Sequence, residues 1–529
     1  MKQFIHTKLT EFCLWWFLGV IGIFCLSMAG IFGRAENCNP FHLPEVLSLC
    51  LPLVSPLIAK LPSHSAPFCP CSEMLLRLAC STQNYDWGKV GDSSTVSQLA
   101  ALNGDITIDS TTSYAEYWFG THHAGPSSIR AADGTVDETL GAWLSRSPDA
   151  LGSMVERPDC VVADNHCGLP YLAKVLSISK CLSIQAHPDK ALAEKLHAER
   201  PDVYKDPNHK PEMAVALTPF EAMCGFRQVS EIIDFIATVP EFRAILEGAT
   251  GQGVDTVKHL QQAANSKDST VVRAALKALF RVYANADPVL VALQVDALVN
   301  RVTATGGTTA EGNKEGEEKE NQTKTKDPSG KHLAEGLAVR LASQYPGDIG
   351  VFAPFLLNFL NLQPGDAIFL AANEPHAYVS GDCFEVMANS NNVVRMGCTP
   401  KLRDVPVLTE MLTFNSGLPN VLRGNTLDDH VCVYKPTDPA VTEFQLERIE
   451  VATGHSYQLT PPSTPSILIV LQGQGVLSPS KGAEPPADLA PTGTVASRGH
   501  VYIQKAGAAL EIIGKGETGT QMFRVQCRE

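Results

Sequence analysis

Gln185 and His187 stand two residues apart in Leu182-Ser183-Ile184-Gln185-Ala186-His187-Pro188-Asp189-Lys190. On an extended strand that spacing turns both side chains to one face. Gln presents a carbonyl oxygen and His an imidazole nitrogen, and Zn²⁺ accepts both. Alone, a Gln-x-His pair is ordinary surface polarity. It gains weight from Glu212 in Asn208-His209-Lys210-Pro211-Glu212-Met213, a hard anionic ligand. His376, in Glu374-Pro375-His376-Ala377-Tyr378, adds a second imidazole just after an expected strand. One Gln, one Glu and two His form a mixed N/O set suited to one zinc ion per chain. Other histidines lack such company. His122, His123, His197 and His209 are read as hydrogen-bonded structural residues, and His455 and His500 have no second ligand near them in the sequence.

Strands and turns must position this set. Short apolar runs punctuated by Gly, Pro, Asp and Ser fill residues 75–219, and 171–178 and 181–184 read as strands or short connecting elements. The period then changes. Ile232, Phe235, Ile236 and Val239 follow helical spacing, with Ser230 as the expected N-cap and Pro240 as the stop. Val272, Leu276, Leu279 and Tyr283 repeat it, as do Leu333, Leu337 and Leu341, so residues 229–345 read as a helical domain. Inside it, 304–330 contains no Val, Ile, Leu, Met or aromatic residue and is expected to be a disordered surface insertion. Strand signals return after Gly350. A turn at Gln363-Pro364-Gly365-Asp366 precedes a buried strand over 367–371, and 467–471, 501–504 and 509–513 follow between glycine turns. Short strands of this kind suggest a β-sandwich or jelly roll, with the helices inserted into a β–α–β order.

Composition limits the partners. A chain of 529 residues is expected to hold two to four domains. Its formal charge of −14 argues against a nucleic-acid partner, because phosphate-backbone binding needs a basic face. A small anionic substrate requires Lys and Arg to converge locally. The 15 cysteines show no regular spacing, and no second pair completes a zinc knuckle around Cys69 and Cys71. Reduced thiols in a reducing compartment are expected.

The motifs SIQAHPDK, KDPNHKPEM, FEAMCGFR, EPHAYVSGD and NVVRMGCTPK, with YDWGK and WFGTHHAGPS upstream, occur in this order between about Asn84 and Val431. Together they resemble the type I mannose-6-phosphate isomerases. That resemblance implies a mixed β and α fold of cupin-type jelly rolls with an inserted helical domain. It implies a catalytic domain over 74–228 plus 346–425, a helical domain over 229–345 and a C-terminal jelly roll over 426–529. Carried over by motif, Gln185, His187, Glu212 and His376 are implied as zinc ligands, with Arg395 at the catalytic arginine position. Glu385 matches the carboxylate discussed as the proton-shuttling base, and Lys210 is the rival base. Ser183, Lys174 and Lys401 match positions associated with the substrate's phosphate, and Trp87 and Tyr378 are expected to shape the sugar pocket. The chain departs from the family at Asn391, where Asp is usual, and at Met396 and Cys398, where Ala and Leu are usual.

The implied reaction is reversible interconversion of mannose 6-phosphate and fructose 6-phosphate, supplying GDP-mannose for glycosylation. A cupin metal oxygenase or a non-catalytic sugar-phosphate sensor would share part of the same set. The chain is expected to act as a cytoplasmic monomer. Residues 13–32 are uncharged and long enough to span a bilayer, which read literally is a signal anchor. The preferred reading is an upstream extension, with the working protein starting near Met74. Membrane association, and use of the Asn321 sequon, would follow only if that segment acts as an anchor.

Overall fold

The structure is a computed structural model, and it describes residues 74–528 apart from 132, 158–161, 164–165, 249–251, 306–329 and 481–492. The apolar stretch 13–32, the Asn321 sequon and most of the 304–330 insertion lie outside the described residues.

Two large antiparallel sheets dominate. The first runs in the order Val421–Leu422, Ala367–Leu370, Glu212–Ala216, His376–Ala388, Tyr171–Ile178, Glu116–Gly120 and Ser81–Gln83. Its hub is the 13-residue strand His376–Ala388. The leading part of that strand pairs with Phe220–Phe226 and with Gln185, and the trailing part pairs with Tyr171–Ile178 and Glu212–Ala216. The change of partner falls at Gly381, whose φ is +105°. A Cβ there would stand 2.4 Å from the Pro219 carbonyl oxygen, so only glycine fits the bend.

Period-two alternation divides the first sheet cleanly. Tyr117, Phe119, Ala173, Val175, Met213, Val215, Phe384 and Val386 pack with Ile467, Ile469, Phe523 and Val525 of the second sheet in one core. The intervening residues, among them Glu116, Lys174, Glu212 and Glu385, therefore face the other way. The second sheet contains Val431–Tyr434, Gln445–Val451, Leu510–Gln526, Ser466–Pro479 and Val501–Gln504. Leu75–Ala79, assigned by sequence to the catalytic segment, pairs with Val501–Gln504, and Ser128–Arg130 and Val136–Thr139 extend the same sheet. The bare edge at Val501–Gln504 takes up the first described strand as its partner, which leaves no unpaired backbone row there.

Among the described residues, six helices form the insertion between the two stretches of the first sheet, from Val229–Thr238 to Lys331–Gln344. The expected periodic residues are largely buried: Ile232, Phe235, Ile236, Leu276, Leu279, Tyr283, Leu337 and Leu341 lie in one cluster, whereas Leu333 is exposed. Each large apolar side chain in such a core contributes about 1.5–3 kcal/mol. The first helix is capped by Gln228 without a side-chain bond, not by Ser230. Pro240 ends that helix and also opens the next, where its missing N–H costs nothing. The cluster extends to Ile184, Ala186, Val394 and Met396, so the helices brace the short ladder that carries Gln185 and Arg395. No single helix among the described residues is long and apolar enough to cross a membrane.

Replacing Gly381 by Ala should cost about 1–3 kcal/mol, seen as a lowered Tm, because the left-handed backbone is strained and the new Cβ meets a carbonyl. An unchanged Tm would show that the hub strand tolerates a different bend.

Candidate metal centre

The hub strand starts with His376 on one side of the bend, and two neighbours complete a cluster. Gln185 lies opposite both His376 and Arg395 in the short ladder. Glu212 opens the adjacent strand, paired with Met387. His187 follows the Ile184–Ala186 strand, which begins later than the sequence pattern indicated.

His187, Glu212 and His376 are all buried, and one ligand atom from each lies within 4.8 Å of the others. His187 Nδ1 donates to the Asn392 carbonyl at 2.6 Å, and His376 Nδ1 donates to the Glu374 carbonyl at 3.0 Å. Those bonds fix both tautomers with the lone pair on Nε2. Both Nε2 atoms are buried and make no hydrogen bond. They instead face the carboxylate, His187 Nε2 at 3.3 Å from Glu212 Oε1 and His376 Nε2 at 3.4 Å from Oε2. Burial drives His187 down to about 4, so the ring is neutral. Burial works against the Glu212 charge too, but Lys210, with Nζ 3.0 Å from Oε1, and the imidazoles hold its pKa well below the usual carboxylate range. The neutral His187 ring thus turns an acceptor nitrogen to the charged Glu212 carboxylate. Zinc bonds of about 2.0–2.1 Å at tetrahedral angles place ligand atoms roughly 3.3 Å apart. The donor set and its spacing fit that ion.

Glu385 lies beyond the bend on the same strand. Burial raises its pKa, partly offset by Lys174. Tyr378 Oη donates to its Oε1 at 2.9 Å, and Lys174 Nζ is 3.1 Å from Oε2. Lys174 also approaches Glu116 at 3.4 Å and sits over the Trp118 ring. Lys174, which the resemblance associates with phosphate, is therefore engaged by two buried carboxylates because the register pairs it with Glu385 and Trp118. Ser183 Oγ donates to Gln185 Oε1 at 3.0 Å. Lys401 is exposed. Arg395 is half-buried, no carboxylate among the described residues pairs with it, and burial lowers its pKa. Trp87 packs against the apolar cluster that contains Tyr378 and Phe220.

Several positioning residues gave no signal in the sequence. Glu116 bridges Lys174 and the Trp118 indole. Asp206 accepts from Ser390 Oγ at 2.8 Å, from the Asn391 amide at 2.7 Å and from the Asn208 amide at 3.0 Å. It thereby ties the Lys210 loop to the loop whose Asn392 carbonyl orients His187. Only three-dimensional proximity joins these loops, so spacing could not have revealed Asp206. The Asn391 departure is also accommodated. Ala124 N–H donates to His122 Nδ1, leaving His122 Nε2–H to donate to Asn391 Oδ1 at 3.2 Å. His197 and His209 are likewise hydrogen-bonded, to the Tyr204 carbonyl and to Glu443. Cys398 adopts φ +53° and is buried, with Gly350 and Gly397 packed tightly beside it.

Two outcomes follow from this geometry. His376→Ala should purify without metal while keeping the wild-type fold by circular dichroism; full metal occupancy would remove His376 from the site. The second concerns pH. Burial lowers His122 from 6.5 to about 4, so below pH 6.5 the unfolded chain binds a proton that the fold excludes. Stability present above pH 6.5 should drain away as pH falls towards 4. His122→Gln should flatten part of that Tm decline, and an unaltered slope would show that His122 ionises freely.

The chain matches the phosphomannose isomerase type I catalytic domain over residues 75–229 and that family's helical insertion domain over 252–357. Mannose-6-phosphate isomerase 1 of Arabidopsis thaliana is 38% identical over 410 residues, 78% of this chain and 87% of the relative. Mannose-6-phosphate isomerase of Homo sapiens is 40% identical over 412 residues, 76% of this chain and 88% of the relative. The apo crystal structure of mannose 6-phosphate isomerase from Salmonella typhimurium superposes with a TM-score of 0.64 at 26% identity, covering 86% of this chain and all of that one. A mannose 6-phosphate isomerase crystallised with zinc and yttrium gives 0.63, also at 26% identity and with the same coverage. With a helical insertion and a buried His–Glu–His cluster on the matching frame, the chain belongs to the type I phosphomannose isomerase family.

Proposed function

We propose that this protein interconverts mannose 6-phosphate and fructose 6-phosphate, with one zinc ion held by Gln185, His187, Glu212 and His376. The observation that carries the reading is the pair of partnerless Nε2 atoms facing Glu212 at tetrahedral spacing, a few residues along the hub strand from a buried carboxylate. It is supported by the names of the relatives and by the zinc in one related structure. Gln185 Oε1 keeps a lone pair beyond the one used by Ser183, which allows it to complete the set. When bound, the metal supplies a Lewis acid that polarises a carbonyl and orients neighbouring oxygens.

Isomerisation needs a proton removed beside the carbonyl and returned to the adjacent carbon. Glu385 is the better carrier. Its raised pKa brings it closer to neutrality, where a general base works best, and Tyr378 and Lys174 fix its two oxygens. Lys210 is committed to its ion pair with Glu212, so it holds the ligand's charge. Arg395 has no carboxylate partner among the described residues and remains available to offset negative charge developing on the enediolate. Lys401 offers an exposed ammonium for the phosphate. Trp87 and Tyr378 wall the sugar. The supply of GDP-mannose precursors is the metabolic role that this activity would serve.

Arg395→Lys keeps the charge but loses the planar fork. Turnover should fall roughly a hundred- to a thousandfold, with metal content unchanged. A near wild-type rate would leave Arg395 as a wall of the pocket. Glu385→Gln should abolish proton exchange between substrate and heavy water while leaving substrate binding measurable. Retained exchange in that variant would return the proton transfer to Lys210.

A further inference from the structure

A second polar cleft lies away from the metal cluster, at the seam between the two sheets. It encloses about 420 Å³. Arg448 and Arg498 line it, together with Thr95, Thr218, Gln472 and Gln521, and no carboxylate is among the described lining residues. On a chain of formal charge −14, this described lining contains two arginines and no acid; the carboxylates of Asp382 and Glu450 stand behind Thr95, Thr218 and Arg448. Neither guanidinium is fully used. Arg498 Nη2 donates to Gln98 Oε1 at 2.7 Å, and Arg448 Nε lies 3.4 Å from Glu450 outside the cleft wall. Each guanidinium carries five N–H donors, so several remain. Gly365, at φ +90°, leaves room for Arg448: a Cβ there would stand 2.8 Å from its Nη1. The helix Thr95–Asn103 begins on the same rim, and its positive end adds to the field.

The other walls are apolar, supplied by Leu471, Phe523 and Pro364. We propose that this cleft binds a small organic phosphate monoester, its phosphate on Arg448 and Arg498 and its body against the apolar wall. Planar forked donors match phosphate oxygens bidentately, and the volume exceeds what a bare anion needs. The cleft is also wired to the hub strand. Thr95 Oγ1 donates to Asp382 Oδ2 at 3.1 Å, and Thr218 Oγ1 accepts from the Asp382 amide at 2.9 Å. Asp382 follows the Gly381 bend and stands three residues from Glu385, so the cleft adjoins the strand that carries that carboxylate.

The test uses the full metal-loaded protein, with 5′-AMP, ribose 5-phosphate and inorganic phosphate as separate titrants in calorimetry. Wild type should bind at least one organic phosphate more tightly than inorganic phosphate. Arg448→Ala combined with Arg498→Ala should weaken that binding at least about tenfold while leaving KM for the hexose phosphate unchanged. Tighter binding of AMP than of ribose 5-phosphate would identify a nucleotide, and equal binding a sugar phosphate. Arg498→Gln alone, checked by its Tm, covers the case in which the double variant misfolds, and it too should weaken binding. The proposal is overturned by absence of binding up to about 10 mM, by equal affinity for inorganic and organic phosphate, or by binding indifferent to the arginines.

Discussion

Glu212 is buried between two imidazole lone pairs, and the rest of the structure is arranged around that placement. A buried carboxylate facing an imidazole lone pair is a costly arrangement that a shared cation relieves. The surroundings prepare for it without cancelling it. Backbone carbonyls of Asn392 and Glu374 hold the imidazoles in the ligating tautomer, and Lys210 stabilises the carboxylate from behind. Nearby, three buried carboxylates, Glu116, Glu212 and Glu385, face two ammonium groups, Lys174 and Lys210. Burial raises the pKa of Glu385 and Lys174 partly offsets it.

Sheet geometry delivers these groups. The faces of the first sheet differ: the side carrying Val175, Phe384 and Val386 is sealed against the second sheet, and the side carrying Lys174, Glu212 and Glu385 gathers the buried charged groups. A shift of one residue in register would exchange the two faces, so the core fixes the site as firmly as it fixes the fold. The Gly381 bend lets a single strand contribute His376 to the metal cluster and Glu385 to the adjoining pair. The helical insertion braces the ladder of Gln185 and Arg395 from the far side.

Much of this was legible in the chain. Residues 171–178 form a strand with the bounds that their apolar run indicated, and the helical periods of Ile232, Leu276 and Leu337 mark true buried faces. His187, Glu212 and His376 converge as their chemistry suggested. What escaped the sequence was whatever depends on pairing at long range. The union of Leu75–Ala79 with Val501–Gln504 joins segments more than 400 residues apart, and no local pattern encodes it. Lys174 shows the same limit, because its engagement by Glu116 and Glu385 comes from sheet register. Cap identity at Gln228 was missed because the insertion's helices are held by packing, which overrides the capping preference of Ser230.

The central claim is a cation at the His187–Glu212–His376 cluster, and the most direct measurement is X-ray absorption at the zinc edge of the purified protein. The account predicts one zinc per chain with a first shell of nitrogen and oxygen only, at about 2.0–2.2 Å. The two imidazoles should be resolved by their multiple-scattering signature. A shell containing sulfur at about 2.3 Å, or a redox-active metal in place of zinc, would contradict it.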